Sequence, residues 1–321
     1  MNNYKELIEL LRKYKQTKIW KQIDGDDIFK ITGHKKPMYI SILGKKGECT
    51  DLNIFYGKEE LFIQYDMIYG EYVNYPDNPY RLTCFKLIID DVKEVLSKEN
   101  AKILKENHIK TDLCVLRFEE GKRPRIVTEE EASMLIKVMK DLLTIIEYMK
   151  NTDFRFSEEF ILEEKYAFTV KDDKVTYKKE KFPLGHEIKA KSLALNKDIL
   201  NKLLLFNQKG TFGLGLFEGP FYIKEVKEYN KLLILSDLET GMILDIKVFP
   251  RNEEANVCNF LLEAFLKTKK YPKNIAVAST KTLLLIKEVI SELKINYRVD
   301  TDMNLLFEQY QGALTFVQNQ R

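Results

Sequence analysis

Asp237 ends the apolar run 232–236, and Glu239, Asp245, Glu253 and Glu254 follow within a few residues. Carboxylates gathered at strand ends can hold two Mg²⁺ ions, which activate a water and stabilise the leaving oxygen of a phosphodiester. Asp300 and Asp302 lie one predicted strand further on and extend the same candidate set. These residue types also have plain structural uses. An Asp side chain accepts from backbone amides at the start of a turn, and Glu is favoured in the first turn of a helix. Lys122, Arg123 and Arg125 precede Thr128, which opens a predicted helix. They can bind phosphate beside that helix N-terminus, or be balanced by Glu119, Glu120, Glu129, Glu130 and Glu131. Tyrosines 65, 69, 72, 75 and 80 can stack on nucleobases or pack a half-buried loop.

Other chemistries lack their motifs. Cys49, Cys84, Cys114 and Cys258 form no CxxC pair, and His34, His108 and His186 are far apart. Zinc and thioredoxin spacings are therefore absent. No GxSxG elbow occurs, and Gly44-Lys45-Lys46-Gly47 lacks the spacing and ending of a P-loop. Neither a metal nor a cofactor is expected, with Mg²⁺ belonging only to the hydrolase alternative. Scattered cysteines point to reduced, buried thiols and a cytoplasmic protein. No apolar run approaches the ~18 residues of a membrane span.

The chain has 321 residues, 45% hydrophobic and 31% charged, with a net charge of +3. That suits two folded domains and excludes pervasive disorder. Residues 1–150 carry 26 basic and 25 acidic side chains, so neither half is a basic module. Lys outnumbers Arg, 43 to 9. Bidentate recognition of phosphate and guanine favours Arg, which lowers the case for nucleic acid without removing it.

The elements that must position these residues follow from periodicity. Tyr4, Leu7, Ile8, Leu11 and Tyr14 recur at helical spacing. Strands are predicted at 28–31, 38–43, 49–56, 82–90 and 112–118. Thr128-Glu-Glu-Glu131 is a capping box for a helix to about Lys150. Residues 151–164 read as a connector, and Lys171-Asp172-Asp173-Lys174 as a hairpin turn. In the second half, strands are predicted at 189–195, 212–217 and 221–226. A hairpin then joins 231–236 to 242–249 through Asp237 to Gly241. Helix, strand, helix and strand follow at 253–268, 274–278, 280–293 and 296–299. Strand–helix–strand crossovers imply parallel neighbours.

The hairpin, the helix ending at Pro272 and the strand 274–278 resemble the core of a ribonuclease H-like or integrase-like fold. Active members of that fold carry one acid on the first strand and another after the strand that follows the first helix. Asp237 matches the first position. Ser279 and Thr280 stand at the second, and neither is a metal-binding carboxylate. A second resemblance spans both halves. It rests on residues 39–44, Gly47-Glu48, 52–57, Arg123-Pro124, Thr128 to Ala132 with Leu135, Phe182-Pro183, the 237–241 hairpin and 271–275. In these it resembles a family of uncharacterised bacterial two-domain proteins. That family carries no assigned activity, so no residue role follows from it.

The expected class is α+β. An α+β domain over 1–150 is followed by a packed connector with a hairpin over 151–180. A mixed-sheet α/β domain over 181–321 has the order ββαβαβ and is ribonuclease H-like. The expected function is a non-catalytic binding module for a protein or nucleic-acid partner, with no membrane. The alternative is a metal-dependent phosphodiester hydrolase using Asp237, with Asp245, Glu254 or Asp300.

Overall fold

The computed structural model describes residues 2–46, 50–90, 92–110, 112–152, 154–156, 164–182, 188, 190–221 and 228–319. The chain divides into two compact units, and each is assembled from separate stretches. The first comprises Met1–Gln64, Thr83–Glu119 and Pro124–His186. The second comprises Tyr65–Leu82, Glu120–Arg123 and Glu187–Arg321.

The first unit starts with α1 (Asn2–Thr17), β1 (Phe29–Ile31), β2 (Met38–Ile42) and β3 (Asp51–Tyr56), then α2 (Lys58–Ile68), whose last turn belongs to the second unit. It continues with β4 (Cys84–Ile88), α3 (Val92–Val95), α4 (Lys98–Glu106), β5 (Cys114–Phe118), β6 (Arg125–Ile126), α5 (Glu129–Asn151), β7 (Glu164–Lys171) and β8 (Lys174–Lys181). The strands form one sheet in the order β6-β5-β4-β3-β2-β1-β7-β8. All neighbours are antiparallel except β1 and β7, which run parallel. The apolar stripes of α1 and α5 meet over this sheet, where Tyr4, Leu7, Leu11, Leu135, Met139, Leu142 and Ile146 are buried with Ile40, Leu52 and Ile54. Thr128 Oγ1 accepts from Glu131 N and Glu131 Oε2 accepts from Thr128 N, so the capping box forms as its spacing predicts.

The 164–181 hairpin also forms where expected, with Asp172 and Asp173 both at positive φ in its two-residue turn. Asp tolerates that conformation better than most side chains. The hairpin does not stand apart: β7 pairs with β1 and extends the first sheet. The strand expected over 189–195 is absent among its described residues, which are irregular. The strand expected over 221–226 falls almost wholly outside the described residues.

The second unit holds α6 (Lys197–Leu203), β9 (Thr211–Gly219), β10 (Asn230–Asp237), β11 (Ile243–Phe249), α7 (Val257–Thr268), β12 (Asn274–Val277), α8 (Thr280–Glu292), β13 (Asn296–Val299) and α9 (Asn304–Asn319). Its sheet order is β11-β10-β9-β12-β13. The first three strands are antiparallel, and β9, β12 and β13 are parallel. The central strand β9 precedes the hairpin that the sequence marks most clearly, so Asp237 closes the second strand of the unit, not the first.

The alternation in β9 explains how both faces are covered. Phe212, Leu214 and Leu216 join the core shared with α6, α7 and α8. Phe217 joins the core formed with Leu306, Phe307 and Tyr310 of α9. Gly213 and Gly215 lie between them in register. A Cβ on Gly213 would fall 2.7 Å from Leu238 and 2.9 Å from Met303, so glycine there permits close packing. No described helix is long and apolar enough to cross a membrane.

Cys84, Cys114 and Cys258 are buried and free, while Cys49 lies outside the described residues. Burial pushes the Cys84 and Cys114 thiols up to about 12, and it raises Cys258 as well. The thiolate is the reactive form. Iodoacetamide should therefore modify these three slowly in the native protein and quickly after unfolding. Rapid native labelling at any of them, located by peptide mass mapping, would contradict this packing.

Candidate functional site: a buried ion cluster

In open sheets with parallel strands, ligands bind beyond the carboxyl ends of those strands. In the second unit that edge lies where β9 and β12 finish. There β9 ends in Phe217-Glu218-Gly219, and its register sets Lys231 of β10 opposite Glu218. Both side chains are withdrawn from water, Glu218 at 0% and Lys231 at 3% exposure. Lys231 Nζ lies 2.5 Å from Glu218 Oε1 and 2.8 Å from Glu254 Oε1. Lys281, in the first turn of α8, reaches the same Glu254 oxygen at 3.0 Å. Arg251 contacts Glu218 Oε1 at 2.7 Å and Glu120 Oε2 at 3.2 Å.

The segment 65–82 closes the cluster. Asp77 is fully buried and receives Arg81 through two bonds, Nε at 2.9 Å and Nη2 at 2.6 Å. This planar fork is the strongest common carboxylate contact. Asp77 Oδ2 also accepts from Glu218 N at 2.8 Å. The Arg81 guanidinium stacks on Tyr72 at 4.3 Å. Tyr310 donates its hydroxyl to Glu218 O at 2.7 Å. At the start of α8, Thr280 N donates to the carboxylate of Glu71. Glu71 thus occupies the place at a helix N-terminus that suits an anion. Gly121, at φ 70°, packs so tightly on Arg251 that a Cβ would overlap its Nη1.

Asp77, Glu120, Glu218 and Glu254 alternate with Arg81, Lys231, Arg251 and Lys281. A lone charge in such a place costs several kcal/mol, so each charge needs its neighbours. Burial raises the Glu120 carboxyl, but Arg251, Lys281, Arg81 and Lys231 outweigh it and hold it at about 2. Glu254 is lowered by the same balance, burial against Lys231 and Lys281. A carboxyl depressed on folding adds stability that is complete above its unfolded value, about 4.5, and is lost as pH falls towards 2. Acid titration followed by circular dichroism should show stability falling over that window. Glu120→Gln should flatten this limb, and an unchanged acid limb would contradict the assignment.

The carboxylates singled out in the sequence do not meet. Asp237 Oδ1 accepts from Glu239 N at 3.0 Å and Thr240 N at 3.2 Å, and Oδ2 faces Lys270 at 3.2 Å. It lies six residues along β10 from Lys231, about 20 Å away in an extended strand. Asp245 on β11 pairs with Lys267 at 2.5 Å. Asp300 pairs with Arg298 at 3.2 Å and accepts from Asp302 N. Glu254 alone of this set belongs to the cluster. Arg125 forks onto Glu131 at 2.7 and 2.8 Å and reaches Glu119 at 3.4 Å. Lys122 bridges to Glu228 through the backbone, and Lys122 and Arg123 belong to the second unit while Arg125 belongs to the first.

Among the described residues, no three of His, Cys, Asp and Glu converge as metal ligands. The acids at the carboxyl edge are paired with ammonium or guanidinium groups, while Glu218 Oε2 is buried without a hydrogen bond among the described residues. Glu218, Lys231, Arg251 and Lys281 were not evident as a group in the sequence. The available signal was a charge at the end of each of two apolar runs, Glu218 directly after 212–217 and Lys231 directly before 232–236.

These features define an α+β protein of two units, the second with a neutralised ion cluster at its carboxyl edge. Residues 4–167 match the model of a family described as Domain of unknown function (DUF7309), and the chain belongs to that family. Residues 207–312 match a second, Domain of unknown function (DUF6930). No curated protein matches the chain.

Proposed function

We propose that the chain is a non-catalytic, cytoplasmic binding module whose second unit is a degenerate ribonuclease H-like domain. The strand order β11-β10-β9-β12-β13, antiparallel on one side of β9 and parallel on the other, supports the fold reading. The observation that carries the functional reading is the pairing of Glu218 with Lys231 and Arg251. Side-chain cations stand where a hydrolase of this architecture needs acids free to bind metal. Asp237 serves its turn and Lys270. The partner is a protein or a nucleic acid.

The test incubates wild type and Asp237→Asn with Mg²⁺ or Mn²⁺ and single- and double-stranded DNA and RNA. No cleavage is expected from either. Asn keeps the turn contact, so Asp237→Asn should change stability by less than about 1 kcal/mol. Metal-dependent cleavage lost in Asp237→Asn would overturn the reading and favour the hydrolase. Salt-sensitive binding without cleavage would identify the partner as nucleic acid.

A further inference from the structure

The two edges of the second sheet differ. The edge strand β13 is four residues long and carries Arg298, a short charged edge of the kind that resists pairing. The other edge strand, β11, runs for seven residues with no proline, and no described strand pairs with its outer side. A β-bulge where Leu235 and Ser236 of β10 meet Asp245 and Ile243 shifts the alternation by one residue, so the face away from α7 shows Ile243 at 46%, Ile246 at 46% and Val248 at 41% exposure, and the regular part of the edge runs from Asp245 to Phe249. A long apolar edge left open is a template for another strand.

The sequence of β11 says which strand fits. Written Ile-Leu-Asp-Ile-Lys-Val-Phe, it is self-complementary about Ile246. An antiparallel copy centred there sets Ile246 against Ile246, and Asp245 of each chain against Lys247 of the other. Opposite charges directly across a strand pair stabilise it, as do paired β-branched residues. The supporting helix repeats the pattern, since Lys247 pairs with Glu263 at 2.9 Å and Asp245 with Lys267 at 2.5 Å. A two-fold axis then brings Glu263 and Lys267 of α7 towards their opposites on the second copy. We propose that two copies of this chain pair through β11 in antiparallel register about Ile246, joining their sheets across a two-fold axis. Such an isologous contact closes on itself.

Sedimentation of the full chain tests this. Wild type should sediment as a dimer at micromolar concentration. Ile246→Lys and Ile246→Glu should each be monomeric, because each sets like charges against each other on the axis. Their equimolar mixture should recover the dimer. The exchange of Asp245→Lys with Lys247→Asp, combined with Glu263→Lys and Lys267→Glu so that the contacts with α7 are kept, preserves the complementarity and should also dimerise. Ile246 is exposed, so circular dichroism of the variants should match wild type. A monomeric wild type, a dimer unaffected by Ile246→Lys, or a mixture that stays monomeric would each overturn the proposal.

Discussion

Lys231→Met should lower stability by about 3–5 kcal/mol, the usual cost of removing one partner from a buried ion pair. Lys231 neutralises both Glu218 and Glu254 and is 3% exposed. Its loss leaves Glu218 dependent on Arg251 and Glu254 dependent on Lys281. Folded domains are stable by only ~5–15 kcal/mol, so the midpoint in urea should drop sharply. Adding Glu218→Gln to Lys231→Met removes the uncompensated charge and should recover much of the loss. A single variant within about 1 kcal/mol of wild type would mean that the cluster is more hydrated than its geometry implies.

A second large effect follows from the interrupted second unit. Residues 187–321 expressed alone lack Asp77, Arg81 and Glu120, because 65–82 and 120–123 are missing. Glu218 N then loses its acceptor, and Arg251 loses one carboxylate. Tyr75, which packs on Phe217 and Phe307, is lost as well. The fragment should show no cooperative unfolding transition. Conversely, a protease site engineered between 156 and 164 in the full chain should yield two pieces that co-elute on gel filtration. The first piece carries the part of the second unit that the other needs. A fragment 187–321 that melts cooperatively, or pieces that separate without denaturant, would contradict this assembly.

The same interruption shows where local reading stops. The capping box before α5 and the 237–241 turn are written in adjacent residues, and both form as their spacing predicts. So does the crossover pattern of α7, β12, α8 and β13, since periodicity reports local structure well. The parallel pairing of β1 with β7 joins strands more than 130 residues apart, and no local pattern encodes that. The tyrosine-rich segment 65–82 has the composition of a loop, and its sequence does not say which sheet it covers. Glu218 and Lys231 become partners only once the register of β9 and β10 is known. Turn chemistry and metal chemistry use the same side chain, so the sequence around Asp237 does not tell the two apart.

The acids at the carboxyl edge are engaged by the chain's own cations. The direct measurement is thermal unfolding across a titration with Mg²⁺ and with Mn²⁺. A metal bound only by the folded state at 100 times its Kd adds about 2.7 kcal/mol, which raises Tm by several degrees. No saturable rise in Tm is expected with either ion. A saturable rise in wild type that Glu218→Gln abolishes would contradict it.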